Sequence, residues 1–580
     1  MASARRSTIA ARRLSRLEML GAFTRRSNSC LSGSVISTLD TGRPMATAYH
    51  VQGVEASYLS DATLAFVVVG MLVASCAVGQ GQVLKIAFDA ADLKSLDPHF
   101  AAATMDRAVV DMVFNGLVRY KPGDVTEFEP DLAESWEVSA DGLVWTFRLR
   151  EGVRVHPFPG APDGYELTSQ DVVFSLAKAA DAARSAYSGE YVGMKVEAAD
   201  TYAVRITLER ALPASLFLPK VADYAGGFII PKRAYAALAD QFATHPVGTG
   251  PFRFANYVPT QRVELVRHDQ YFRGLPRLAG VEVWYMPDVT ARLSALSTGE
   301  IDIIEGVREQ AWVDVVKRIP NLAVDVFGPG ETEVLHLNMT KDPISSLLVR
   351  QAIAYAIDRT EVITAIGADV AEPLCGAVPP YLAGGLTCDE VKAAGLLYEQ
   401  NLALARALLA AAGYPTGFEI SANITERASY RKPFENIQAQ LARVGIALKI
   451  TVVDHSSFHT LIRQDVNPLV HYEAWRPSAD AFLTRFYHSA SIVVSGAKPD
   501  TNFSHSKSAD FLIELARYEL DPARQTAMWK EAQLTLLREV ASYPLYVLKF
   551  VFARSAQVNY GYPLKSTLAL YPQVNELTSK

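Results

Sequence analysis

Apolar and other residues alternate along Val83-Leu-Lys-Ile-Ala-Phe88, the period of a strand with one well-buried face, and Asp97-Pro98 breaks the segment after it. Residues 101–117 read as a helix. Residues 136–149 predict two strands joined by a turn containing Asp141-Gly142, and a second hairpin is expected at 196–208. In Leu167-Thr-Ser-Gln-Asp171 either Thr168 or Ser169 can cap a helix, with an acid nearby and Val172, Val173 and Leu176 as its apolar face. Gly248 and Gly250, set between Pro246 and Pro251, predict a tight turn into a strand at 252–257; the helix and lysine of a phosphate-cradling loop are missing there. Arg350, Ala354 and Ile357 fall at helical spacing, so residues 349–359 predict a packed helix whose charges anchor it to neighbouring loops. Strands and helices are thus mixed. No repeat of solenoid period and no long low-complexity linker follows Cys76, so the folding units must be joined by ordered strands.

More than one such unit is required, because 580 residues exceed what a single core organises. With 49% apolar and 20% charged residues the chain has the composition of a soluble globular protein. A net charge of −6 supplies no basic field for neutralising phosphates, which argues against nucleic acid as a partner and for a small ligand. The first 76 residues differ from the rest: they hold the pairs Arg5-Arg6, Arg12-Arg13 and Arg25-Arg26 and many Ser and Thr, and read as a leader. The apolar run at 64–75 is shorter than the roughly 20 residues of a spanning helix and suits the core of a secretory signal. It ends in Val73-Ala-Ser-Cys76, which resembles the lipobox of bacterial lipoproteins and marks Cys76 for lipidation; Ser75-Cys76-Ala77 would also serve as an ordinary cleavage site. Beyond the leader the only cysteines are Cys375 and Cys388, close together in a Gly/Pro-rich stretch, and an oxidising compartment would let them pair. Closing a loop of that size contributes about 3 kcal/mol by restricting the unfolded chain.

A series of motifs in order resembles the family 5 extracellular solute-binding proteins, which include dipeptide, oligopeptide, opine and nickel receptors of ABC importers. They are Ser95-Leu-Asp-Pro98, Asn115-Gly-Leu-Val-Arg-Tyr120, Pro130-Asp-Leu-Ala-Glu-Ser-Trp136, Asp141-Gly-Leu-Val-Trp-Thr-Phe147, Leu167-Thr-Ser-Gln-Asp171, His245-Pro-Val-Gly-Thr-Gly-Pro-Phe252, Gly299-Glu-Ile-Asp-Ile303, Asn338-Met-Thr340 and Val349-Arg-Gln-Ala-Ile-Ala-Tyr-Ala-Ile-Asp-Arg359. The likeness spans residues 83–570. His156-Pro-Phe-Pro-Gly-Ala-Pro-Asp163 departs from it, standing where relatives carry a shorter turn. The resemblance implies an α/β fold of the two-lobed periplasmic-binding-protein type II kind, with a hinge and an extra β-rich subdomain in the first lobe. On that basis we expect a leader at 1–76, lobe I at 77–334 with the subdomain at about 118–245, lobe II at 335–546, and a return to lobe I at 547–580. It also implies a monomeric receptor without cofactor, periplasmic or anchored outside the cytoplasmic membrane, that delivers a peptide, opine or similar polar solute to the permease subunits and catalyses nothing.

Specificity is expected in Val470-His-Tyr-Glu-Ala-Trp-Arg-Pro-Ser-Ala-Asp-Ala-Phe-Leu483, which is similar to a family segment where a tryptophan precedes an acid near the ligand. Trp475 and Asp480 match those two residues, Ala481 replaces the usual proline, and Tyr472 lies in the same stretch. Asp480 would hold an ammonium group and Arg476 a carboxylate through two parallel hydrogen bonds; alternatively the two pair with each other or with the scaffold. Arg427 and Tyr430, in Thr425-Glu-Arg-Ala-Ser-Tyr-Arg431 after a strand at 418–423, form a second candidate cluster, either contacting ligand or starting a solvated helix. His455 and His459 share a helical face beside Asp454, the spacing of a metal site, but the glutamate of a zinc protease is missing and Asp454 reads better as a helix cap, so no metal ligand is assigned. The alternatives are a nickel- or haem-type metal-chelate receptor on the same fold, and a hydrolase or chaperone-like binder. Neither a Gly-x-Ser-x-Gly elbow nor a Walker-type loop occurs.

Overall fold

The computed structural model describes residues 82–567 and 570–580; the leader, the apolar run and Cys76 lie outside the described residues. The alternating segment forms β1 (Val83–Phe88). β2 (Val118–Tyr120) and β3 (Phe128–Pro130) make a small antiparallel pair, and β4 (Ala133–Val138), β5 (Val144–Leu149), β6 (Met194–Asp200) and β7 (Ala203–Leu208) form a separate sheet ordered β4-β5-β7-β6. Both expected hairpins are in that sheet. β8 (Phe252–Val258), β9 (Arg262–Arg267) and β10 (Gly280–Tyr285) bring the chain back to β1, which pairs in parallel with β10 on one side and with β11 (Ile303–Glu305) on the other. Next along the chain are β12 (Leu322–Leu337), β13 (Ala371–Pro373), the parallel pair β14 (Phe418–Thr425) and β15 (Ile446–Val453), β16 (Leu469–Ala474) and β17 (Ser542–Ser555), with helices between them.

Nine strands make one sheet, in the order β16-β12-β17-β11-β1-β10-β9-β8 with β13 also on β17. It is built as two halves on a shared ribbon. Residues 322–327 of β12 pair with 550–555 of β17, and 331–336 pair with 542–548; the register breaks between Phe327 and Glu331. β11 joins β17 at 552–554, whereas β13 joins it at 546–548 and β16 joins β12 at 332–337. Each half is therefore completed by the same two strands. β17 is apolar and buried through most of its length, as expected of a strand covered on both faces.

Local signals explain most helix ends. Thr168 and Asp171 form a capping box for the helix Ser169–Ala179, and Asp454 caps His455–Arg463 by accepting from the Ser457 N–H at 2.9 Å. The helix expected at 101–117 is only Thr104–Val113: Phe114, Leu117 and Val118 prolong the apolar pattern because they are buried in the stretch leading into β2, not because the helix continues. Likewise the helix at 349–359 is split. Leu347–Ala356 ends first, and Asp358 caps a second helix, Arg359–Ile366, through the Thr360 N–H at 2.8 Å. Arg350 is buried and donates to the carbonyls of Ile344, Ser345 and Glu539, as an anchor should. Gly248 and Gly250 lie against the end of Thr104–Val113, where a Cβ would meet the Val113 and Met112 carbonyl oxygens at 2.1 and 2.5 Å. Cys375 and Cys388 are joined by a disulfide. None of the described helices is long and apolar enough to cross a membrane.

The break in the shared ribbon centres on Gly330, at φ +70°, where a Cβ would approach the Leu548 carbonyl oxygen to 2.6 Å. Left-handed backbone costs a side chain about 1 kcal/mol, and the backbone contact adds to it. Gly330→Ala should lower unfolding stability by roughly 1–3 kcal/mol, read as a shifted urea midpoint with unchanged slope.

Candidate functional site

β16 ends at Ala474, and the chain turns through 475–478 into the helix Ala479–Tyr487, whose N-cap Ser478 accepts from the Ala481 N–H at 3.2 Å. That turn forms one wall of a cavity of about 800 Å³. The opposite wall comes from residues 187–225, in and beside the β4–β7 sheet. Trp475 meets Tyr224 across it edge to face at 6.3 Å, Arg210 lies over the Tyr518 ring at 5.4 Å, and Ser215 donates to Gln525 at 2.6 Å. The two walls are in contact at both the Trp475 and the Gln525 end.

Of the residues singled out in the sequence, Trp475, Arg476 and Asp480 line this cavity. Asp480 accepts from Arg517 at 3.0 Å; burial raises its pKa, and Arg517 works against that rise. Its neighbour in this structure is thus the scaffold. Arg476 donates to the Trp475 carbonyl at 2.8 Å and lies over the Phe486 ring at 4.9 Å, and no carboxylate comes within 4 Å of it among the described residues. Burial, and then the charge of Arg485, lower its pKa. The Trp475 indole N–H and the Arg476 Nε are both buried without an acceptor. Tyr472 does not line the cavity: it packs on Phe503 and Phe486, from where its hydroxyl still reaches the Arg476 side chain.

Arg427 and Tyr430 line a second cavity, of about 770 Å³, whose floor belongs to β12, β16 and β17. Glu333 stands directly opposite Glu473 on β16 and Tyr546 on β17, and Glu331 opposite Leu548, so three glutamates share one face of the ribbon. Arg308 contacts Glu331 and lies 3.7 Å from Glu473. Burial opposes ionisation of Glu331, but the Arg308 charge overcomes it and holds that pKa down. Burial, then the neighbouring Glu333 and Glu331, push Glu473 up to about 10. Burial also raises Glu333 and lowers His471 to about 3, so these two, 3.1 Å apart but not aligned for a hydrogen bond, are a neutral pair. This acid cluster escaped the sequence reading, although Glu331-Thr-Glu333 inside an apolar strand run was its signal. The histidine pair is also here. Arg463 donates to His459 Nδ1 at 3.0 Å, which leaves the His459 proton on Nε2, facing His455 Nε2 at 3.1 Å; His455 Nδ1 in turn meets Thr425 Oγ1 at 3.3 Å. Among the described residues no group of three or more His, Cys, Asp or Glu is placed to hold a metal ion.

Because the folded chain keeps Glu473 protonated while the unfolded chain ionises it near 4.5, its contribution to stability is complete below that pH and lost as pH rises toward 10. Glu473→Gln cannot titrate. Relative to the wild type it should gain stability with rising pH between 5 and 8, by at most about 1.4 kcal/mol per unit, measured by urea melts across that range.

Comparison with known proteins agrees with this architecture. The model of the bacterial extracellular solute-binding proteins, family 5, matches residues 127–493. MoaA of A. tumefaciens R10, solved in complex with mannopinic acid, is 38% identical with a TM-score of 0.69, covering 86% of this chain and 99% of MoaA. DppA of Helicobacter pylori, solved with the peptide STSA, is 28% identical with a TM-score of 0.67, covering 86% and 98%. The glutathione-binding protein GsiB of Escherichia coli K12 is 28% identical over 523 residues, 88% of this chain and 96% of GsiB. With the family model covering more than half the chain, and the two-lobed mixed sheet shared with these structures, the protein belongs to the family 5 bacterial extracellular solute-binding proteins.

Proposed function

We propose that this protein is the substrate-binding receptor of an ABC importer, that it holds a carboxylate-bearing solute of the peptide or opine type in the first cavity, and that it catalyses no reaction. The observation that carries this reading is Arg476, a partly buried guanidinium in a cavity rich in tyrosine, with another arginine nearby and no carboxylate of its own. Lys220, Arg517 and Arg485 are already engaged by Glu190, Asp480 and Asp500, which leaves Arg476 and Arg210 to meet an anion. A bidentate contact to a ligand carboxylate would give the Arg476 Nε the acceptor it lacks. Aromatic rings on both walls, such as Tyr191 and Trp475, supply apolar contact for the rest of the solute. The ligands named for the relatives, a peptide and an acid among them, fit that chemistry.

Delivery follows from closure. A solute touching both walls stabilises the closed arrangement by its differential affinity for it, and the permease would read that arrangement. We place the hinge at the break in the β12–β17 ribbon, near Gly330, with the β4–β7 sheet as the subdomain of the first lobe. The receptor would act as a monomer outside the cytoplasmic membrane, either cleaved from its leader or anchored through Cys76.

The test is native mass spectrometry of the chain from Ala77 onward, purified gently from its host, with identification of whatever molecule leaves on denaturation. A stoichiometric organic acid or zwitterion is expected, and Arg476→Ala should weaken its rebinding roughly 10- to 100-fold in calorimetry with the melting temperature little changed. Retention of a bare metal ion, or no binding of any peptide or opine offered, would sink the reading.

A further inference from the structure

The acid cluster under the second cavity leaves oxygen atoms without partners. Both carboxyl oxygens of Glu333 and the hydroxyl of Tyr546 are buried and accept or donate no hydrogen bond. Tyr546 is 0% exposed and yet lines the cavity, and Glu473 beside it accepts from Ser429 at 3.0 Å and donates its carboxyl proton to Glu331. Buried polar atoms without partners are costly, so such a face is retained where something is bound against it. Arg308 is engaged most closely by Glu331, its contact with Glu473 being longer at 3.7 Å. The ring of Tyr430, whose hydroxyl donates to the Glu473 carbonyl at 3.3 Å, adds an aromatic wall.

We propose that the second cavity is a binding site for an organic cation, an ammonium or guanidinium group seated between Glu473 and Tyr546 beside the Arg308–Glu331 pair. Its acceptors point the same way: a carboxyl group that can ionise, a tyrosine hydroxyl with a free lone pair, and an aromatic ring suit a cation. The site is separate from the first cavity and does not depend on which solute that cavity takes.

The groups facing Glu473 allow a charge to enter. Arg308 is held by Glu331, and Lys432 by Glu309 at 3.2 Å. His455, His459 and His471 have pKa values lowered first by burial and add no charge at neutral pH. Arg427 stands at the exposed rim. Without a ligand Glu473 carries a proton; when a cation enters, the carboxyl O–H bond breaks, its proton passes to solvent, and the ligand's positive charge takes its place against the carboxylate.

Agmatine is the probe, titrated calorimetrically into the intact chain at pH 7 in phosphate and in Tris at equal ionic strength. Saturable one-to-one binding is expected. The apparent enthalpy should differ between the buffers by the amount that about one released proton requires, and affinity should rise with pH, by up to about tenfold per unit. Glu473→Gln should abolish the buffer dependence and weaken binding at least tenfold. Tyr546→Phe, which removes only a hydroxyl, should weaken it severalfold and decides the matter if the first variant does not fold. Absence of agmatine binding to the wild type, or affinity unchanged in Tyr546→Phe, would overturn the site.

Discussion

Along β12 and β17, strands of 16 and 14 residues, one continuous antiparallel pairing serves both halves of the main sheet. Everything that bears on binding is fastened to it. On one side of the break the ribbon carries β11, β1 and the strands beyond them; on the other it carries β13 and β16. A hydrogen-bonded ribbon resists stretching and shear but twists and bends where its ladder is interrupted, and the interruption here lies between Phe327 and Glu331, where we place the hinge. The acid cluster begins at Glu331, immediately beside that point.

The two cavities differ in charge because β16 divides them. Beyond its end, Arg476 and Arg210 face the first cavity, with no carboxylate paired to either. Along its length, Glu473, with Glu331 of β12, faces the second. Burial amplifies both imbalances, since in a low-dielectric setting an unpaired group either loses its charge or acquires a partner. Glu473 takes the first course by keeping its proton. Arg476, whose proton is held far more tightly, is left to the second.

What the sequence reveals and what it hides divides along the range of the forces involved. The Thr168–Asp171 capping box, the Asp141-Gly142 hairpin and the Asp454 cap depend on neighbours within four residues, and each is readable as a string. The family-like segment 470–483 matches Trp475 and Asp480, and the chemistry of Arg476 singles it out beside them; those three do share one cavity. The opposite wall was invisible, because Tyr224 and Arg210 meet Trp475 and Tyr518 only through tertiary packing. The confrontation of Glu333 with Glu473 depends on strand register, and one residue of slip would turn both side chains to the other face. Two helix ends were misplaced for a related reason: Phe114 and Ile357 are buried by distant partners and so imitate helical continuation.

β17 is nearly the last element of the chain and yet lies in the middle of the sheet, flanked by β12, β11 and β13. Neither half can close until this strand has been synthesised, and its partners begin hundreds of residues earlier. Long-range pairings of this kind form slowly, because the ends of a long loop must first find each other. A chain built in this way stays unfinished while it is being made.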